Sequence, residues 1–143
     1  MIQKWHSWLG MPVFDKAWHE QDLADELAEY HEETELLKRW SELSDVVYTC
    51  TRGRWSGHPI AFPLKRPLFY LGVPYMLGKY TGRFLFYRHA GRKAGADKTV
   101  RCVRNPKKLH KLDGVMDEQH VTVDRARLRA ICARQLRWWP LLP

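Results

Sequence analysis

ELAEYHEETELLKRWSELSD, residues 26 to 45, carries two carboxylate pairs at helical spacing. Glu26 and Glu29 stand three residues apart, as do Glu42 and Asp45. Residues three apart on an α-helix share one face, with Cβ atoms about 5–6 Å from each other, so each pair can address a single object. If the chain reverses between the pairs, two antiparallel helices bring four carboxylates together, as in helical bundles that hold metals between facing helices. Four converging anions demand a cation. An all-oxygen donor set suits Mg²⁺ or Mn²⁺ and lacks the soft ligands that favour zinc or copper. Mg²⁺ shares its remaining positions with water and substrate phosphates, so a phosphate-bearing substrate follows.

The same residues admit a plainer reading, one long solvated helix over residues 13 to 51 with an acidic outer face. Glu26 and Asp45, nineteen residues apart, would then lie roughly 28 Å from each other at 1.5 Å per residue and share nothing. The turn that separates the two readings is weakly marked. Residues 30 to 36, YHEETEL, contain no Gly, Pro or Asn, and Thr34 alone offers a conventional N-cap for a second helix. Glu29/Glu32 and Glu32/Glu35 repeat the three-residue spacing, so Glu32 or Glu35 can stand in for a named ligand.

The pattern E-x-x-E, twelve intervening residues, then E-x-x-D, with ELSDVVY over residues 42 to 48, resembles the metal-binding helices of the all-α NTP pyrophosphohydrolases, the MazG-like family. The resemblance covers residues 14 to 52. It implies an enzyme in which Glu26, Glu29, Glu42 and Asp45 are the catalytic carboxylates and the ligands of Mg²⁺ (or Mn²⁺). The substrate is a nucleoside triphosphate, attacked by water at the α-phosphorus to release the monophosphate and pyrophosphate. The resemblance also implies a homo-oligomer with sites completed near subunit contacts. Members commonly use an Asn and a Lys from a later element on the phosphates, which brings forward Arg104, Asn105 and Lys108 as substrate-binding residues.

Charge divides the chain. Residues 1 to 51 hold four Lys/Arg against eleven Asp/Glu, and residues 52 to 143 hold twenty against five, so about −7 is followed by about +15 within a net charge of +8. That split suits an acidic metal cluster beside a basic surface for an anionic substrate. It suits equally a second reading, a non-enzymatic nucleic-acid-binding or assembly module that uses the basic C-terminal two-thirds. Cys50, Cys102 and Cys132 are odd in number and widely spaced, and are expected to be reduced structural thiols. The chain start lacks the charged and apolar segments of a secretory signal. The most apolar window, Pro67 to Leu77, is too short for a span of about 20 residues. A cytoplasmic protein with no membrane partner is expected.

With 143 residues the expectation is a single all-α domain, a helical bundle around the carboxylate-bearing hairpin with a Pro/Gly-rich loop and extra C-terminal helices. Residues 1–12 are an N-terminal arm or short helix, 13–52 the metal-binding hairpin and 53–143 a basic helical remainder. A first helix starts near Asp15 and ends near Glu32, with Phe14, Trp18, Leu23, Leu27 and Tyr30 near one face. A second runs from about Glu35 to Arg52, with Leu36, Leu37, Trp40, Leu43, Val46, Val47 and Cys50 inward and Gly53 as its stop. Residues 53 to 67 form the loop, in which Trp55, His58 and Phe62 line a pocket and Trp55 is the candidate for contact with a base. A break at Gly72 to Pro74 precedes a helix from Tyr75 to His89 that buries Met76, Tyr80, Phe84 and Tyr87. Gly78 and Gly82 allow a close helix approach, and Lys79, Arg83, Arg88, Arg92 and Lys93 form a basic stripe, either a solvated face or a surface that meets a triphosphate or an RNA backbone. Asn105 caps a helix that Pro106 begins, and this N-terminus is a natural anion site. Thr122 or Asp124 starts the last helix, whose apolar tail, RWWPLLP, packs on the body or across a subunit boundary.

Overall fold

The fold is all-α. In the computed structural model, which describes residues 1–137, six α-helices and one 3-10 turn form, and no strand occurs among the described residues. The helices are α1 (Ile2–Leu9), α2 (Lys16–Glu32), α3 (Leu36–Trp55), α4 (Arg66–Ala94), α5 (Leu112–Glu118) and α6 (Arg125–Leu136), with the 3-10 turn at Leu109–Lys111. The chain divides into two compact units, Met1–Gly78 and a second that begins at Lys79, inside α4. No helix among the described residues is long and apolar enough to cross a membrane. The expected packing of the RWWPLLP tail concerns residues 138 to 143, outside the described residues.

In the first unit α2 begins where Asp15 caps it, the carboxylate accepting the Trp18 N–H at 2.8 Å. The cap of α3 is Glu35 rather than the expected Thr34. Glu33 bends back to accept the Glu35 N–H at 2.8 Å, and Lys38 pairs with Glu35 at 2.7 Å, so charged side chains hold a link that lacks Gly and Pro. Leu23, Leu27 and Tyr30 of α2 then pack on Leu43 and Val46 of α3, with Phe62, Leu64 and Leu68 closing the cluster. The Thr49 hydroxyl donates to Asp22 at 2.6 Å, while Glu29 and Glu42 meet nearer the link, so the two helices run in opposite directions. The first turn of α3 does not join the core as expected. Leu36 (79% exposed), Leu37 (68%) and Trp40 (42%) face outward, because the buried stripe of α3 starts only where α2 can cover it.

Gly53 does not stop α3, which continues to Trp55. A side chain at Gly53 would place Cβ 2.9 Å from the His58 carbonyl oxygen, and the His58 N–H donates to the Gly53 carbonyl at 2.8 Å. The glycine therefore serves the close return of the following loop, and Gly57, at φ 86°, makes the left-handed turn. The N-terminal residues form α1, ended by Gly10 at φ 59°. Its His6 ring nitrogen Nε2 lies 3.0 Å from the Thr51 hydroxyl, and burial pushes the His6 pKa down to about 4.

The expected break at Gly72 to Pro74 is absent, since α4 runs unbroken from Arg66 to Ala94. A Cβ on Gly72 would sit 2.8 Å from Val47 Cγ2, so the glycine lets α4 approach α3. Pro74 lacks the N–H that would bond the Tyr70 carbonyl, a defect that costs about 3 kcal/mol in a helix interior. Packing offsets it, and the Trp40 indole N–H donates to the Leu71 carbonyl at 3.2 Å beside the defect.

The second unit has an apolar core in which Phe86, Tyr87 and Ala90 of α4 meet Val100, Cys102, Leu112, Val115, Met116, Leu128 and Cys132. Met76, Tyr80, Phe84 and Tyr87 are buried, as expected from their spacing. The close approach lies at Gly91, where a Cβ would meet Val100 Cγ2 at 2.5 Å, whereas Gly78 faces open space. All three cysteines are free and buried, and burial pushes Cys50 and Cys102 up to about 11 and Cys132 to about 12. Lys79 and Arg83 leave the expected solvated stripe and are 4% and 7% exposed, with both cations over the Tyr80 ring and Arg83 donating to the Val103 carbonyl. Asp124 caps α6, accepting the Arg127 N–H at 3.0 Å.

Candidate metal centre

Glu26, Glu29 and Glu42 come together. Each offers one carboxylate oxygen, and the three oxygens lie within 4.8 Å of one another, Glu26 and Glu42 half-buried and Glu29 exposed. Helical spacing puts Glu26 and Glu29 on the α3-facing side of α2, and the reversal at residues 33–35 puts Glu42 opposite them. Asp45 lies one turn further along α3. The Glu26 carboxyl is pushed up to about 8, first by burial, then by the negative charge of Asp45, and then by Asp22, Glu29 and Glu42. Five carboxylates thus share one field, and Glu26 holds its proton well above the usual carboxylate range.

The fit to a hard dication is good in chemistry and close in dimension. Mg²⁺ sits 2.0–2.1 Å from its oxygens, which places neighbouring oxygens about 3 Å apart and opposite ones about 4.2 Å apart in an octahedron. One oxygen of each of three carboxylates lies within 4.8 Å of the others, and Glu29 is open to solvent. A cation there would replace the proton on Glu26 and relieve the mutual repulsion of the set.

A seam not singled out in the sequence reading extends the site along the helix pair. Asp22 stands four residues before Glu26, and Thr49 four residues after Asp45; the hydroxyl of Thr49 holds the Asp22 carboxylate. One further turn away lie His19 and Arg52, both buried. The Arg52 guanidinium lies 4.9 Å from the ring centroids of both Phe14 and Trp18 and donates to the Pro12 carbonyl at 2.8 Å. Neither ring nitrogen of His19 has a hydrogen-bond partner. Burial, followed by the Arg52 charge, lowers its pKa. The signal was present as polar residues at spacings of three and four, 19, 22, 26 and 29 on α2 and 42, 45, 49 and 52 on α3. It lay inside a run read chiefly for its acids and its apolar face.

The expected substrate-binding residues fall elsewhere. Trp55 is at the far end of α3, stacked on His6 at 5.9 Å, with its indole N–H bonded to Ser7 Oγ at 3.0 Å, so it fastens α1 to α3. A cleft of about 480 Å³ in this unit is lined by Ile2, Cys50, Arg54, Ile60, Phe62 and Phe69 among others. Phe62 lines it as expected, and Trp55 and His58 do not. Asn105 and Pro106 do not start a helix. The Asn105 side chain accepts the Lys107 N–H at 2.9 Å and its carbonyl accepts the Lys108 N–H at 2.8 Å, a local turn favoured by Asn before Pro. The helix-terminus argument for an anion at Arg104, Asn105 and Lys108 therefore lapses, while the exposed charges of Arg104 and Lys108 remain. Comparisons of the chain with protein-family profiles, curated proteins and solved structures return no match.

Proposed function

We propose that the protein is a Mg²⁺-dependent nucleoside triphosphate pyrophosphohydrolase, built on the α2–α3 hairpin as the centre of a helical bundle. The observation that carries this reading is the meeting of Glu26, Glu29 and Glu42 from two helices within 4.8 Å, in the spacing that resembles the MazG-like family. Glu26, Glu29, Glu42 and Asp45 hold the cation, with Mn²⁺ as an alternative to Mg²⁺. When bound, the cation acidifies a water and neutralises charge on phosphoryl oxygens. The chain's own contribution is to hold the carboxylates in place. Asp45 and Asp22 set the field at Glu26, and Thr49 fixes Asp22. Glu26, whose proton is held by burial and its acidic neighbours, would give it up to a cation bound there, which ties binding to pH.

Leu36, Leu37, Trp40, Tyr70 and Leu71 are all exposed, and Trp40 and Leu71 are hydrogen-bonded neighbours. An outward apolar group of this kind supports a homo-oligomer. A cytoplasmic location suits a nucleotide substrate and three free thiols.

The test is pyrophosphate release from a panel of NTPs and dNTPs, with and without Mg²⁺ or Mn²⁺. Divalent-dependent release that Glu42→Gln removes supports the reading. Folded protein that releases none from any nucleotide overturns it.

A further inference from the structure

Residues 79–143 carry sixteen Lys/Arg against five Asp/Glu, and the folded unit sorts these charges. Asp113 pairs with Arg129 and Asp117 with Arg125, between α5 and α6. Asp124 caps α6, and Asp97 accepts the Thr122 N–H at 2.7 Å. Four of the five carboxylates are thus engaged by arginines or backbone N–H groups, Asp97 from within the segment that joins α4 to α5. On that segment Arg104, Lys107, Lys108 and Lys111 are exposed, and none has a carboxylate partner among the described residues.

The segment is also held in shape. Val100, Cys102, Val103 and Pro106 turn inward and are buried. The Gln119 side chain clamps the Arg101 backbone from both sides, accepting its N–H and donating to its carbonyl. Lys98 Nζ donates to the His120 carbonyl at 3.1 Å. The cations therefore project from an anchored strap.

We infer that the strap of residues 98–111 binds the phosphate backbone of a nucleic-acid duplex without reading its bases. Unpaired cations on a fixed support release counterions from a polyanion, the source of sequence-independent affinity. The strap holds no Phe, Tyr or Trp on which single-stranded bases stack, its one ring being the exposed His110 imidazole, and no α-helix to enter a groove, so the higher charge density of a duplex decides the partner. A membrane surface fits less well, because interfacial binding needs apolar side chains beside the cations, and here they are turned inward. Protein partners favour aromatic anchors and few lysines. The inference is independent of the metal reading.

The test is fluorescence anisotropy of the full chain with a labelled 20-base-pair DNA duplex in EDTA, over a range of salt concentrations. Wild type is compared with the fourfold variant Arg104→Gln, Lys107→Gln, Lys108→Gln, Lys111→Gln. The control removes four cations from the first unit, Lys4→Gln, Lys16→Gln, Lys38→Gln, Lys65→Gln. The strap variant is expected to lose roughly tenfold or more in affinity at low salt, and its salt slope to fall by about 2–4, given a slope of about 0.9 per phosphate contact. The control should stay within about twofold. The inference is overturned if wild type fails to bind the duplex at low salt, or if the two variants weaken alike. Tighter binding to the single strand, or to phosphatidylserine vesicles, overturns it as well.

Discussion

Both units of this chain use carboxylates in helix caps and ion pairs, but among the described residues only the first also gathers several of them at one place. In the first, Glu26, Glu29 and Glu42 face one another, with Asp22 and Asp45 adding to the field at Glu26. In the second, Asp113 and Asp117 meet arginines, and Asp97 and Asp124 accept backbone N–H groups. Both units are helical and both bury apolar residues, so helix formation does not account for the difference. Carboxylates that meet arginines contribute modestly to folding, whereas like charges gathered at a half-buried place oppose it. That gathering is the feature on which the proposed metal site rests.

The largest effect expected from breaking this contrast is on turnover. Glu42→Gln or Asp45→Asn should reduce divalent-dependent pyrophosphate release by more than the roughly 10–100-fold typical of outer-shell changes at metal sites, with helical circular dichroism unchanged. Retained turnover in both would reduce the acidic face to a wetted surface. The next effect belongs to the second unit. Leu128 is fully buried in its apolar core, so Leu128→Ala should cost about 2–5 kcal/mol in urea unfolding. A loss below about 1 kcal/mol would mean that this core is not tightly packed.

A smaller change, opposite in sign, sharpens the comparison most. Glu26 has a folded pKa of about 8 against a reference value of 4.5. Between those values the folded chain binds more protons than the unfolded one, so its stability falls as pH rises across that window. Glu26→Gln, without divalent cation, should therefore stabilise the protein by roughly 1–3 kcal/mol at pH 9, after allowance for partial exposure, and by almost nothing at pH 4. Denaturant midpoints at the two pH values measure this, and a destabilised variant at pH 9 would contradict the assigned repulsion. The smallest effect is again in the second unit, where Arg125→Ala breaks an exposed pair with Asp117 and should leave the urea midpoint almost unchanged, because solvent screens such a pair.

Much of this contrast was legible in the sequence, for reasons that differ by residue. Asp15 and Asp124 were readable as helix starts because a capping carboxylate acts within three residues. Met76, Tyr80, Phe84 and Tyr87 were readable as core because helical period and burial coincide. Gly53, Gly72 and Pro74 carry a local meaning, helix stop or break, that the fold overrides. Gly53 and Gly72 instead answer to close tertiary approaches, to the His58 carbonyl and to Val47, and Pro74 sits in a helix carried through by its packing. Leu36, Leu37 and Trp40 had the right period, but period alone does not say how far α2 extends to cover them. Asn105 and Pro106 matched a helix start, yet the Asn side chain closed a turn on itself first. Asp22 and Thr49 went unread because their bond joins positions 27 residues apart, a pairing set by the register of the hairpin.

The most direct measurement is a calorimetric titration of the full chain with Mg²⁺ at pH 8, performed in two buffers of different ionisation enthalpy and repeated on Glu42→Gln. The account predicts saturable binding accompanied by proton release as the cation displaces the Glu26 proton, and loss of both in the variant. No saturable binding by folded wild type, or an unchanged isotherm in Glu42→Gln, would contradict it.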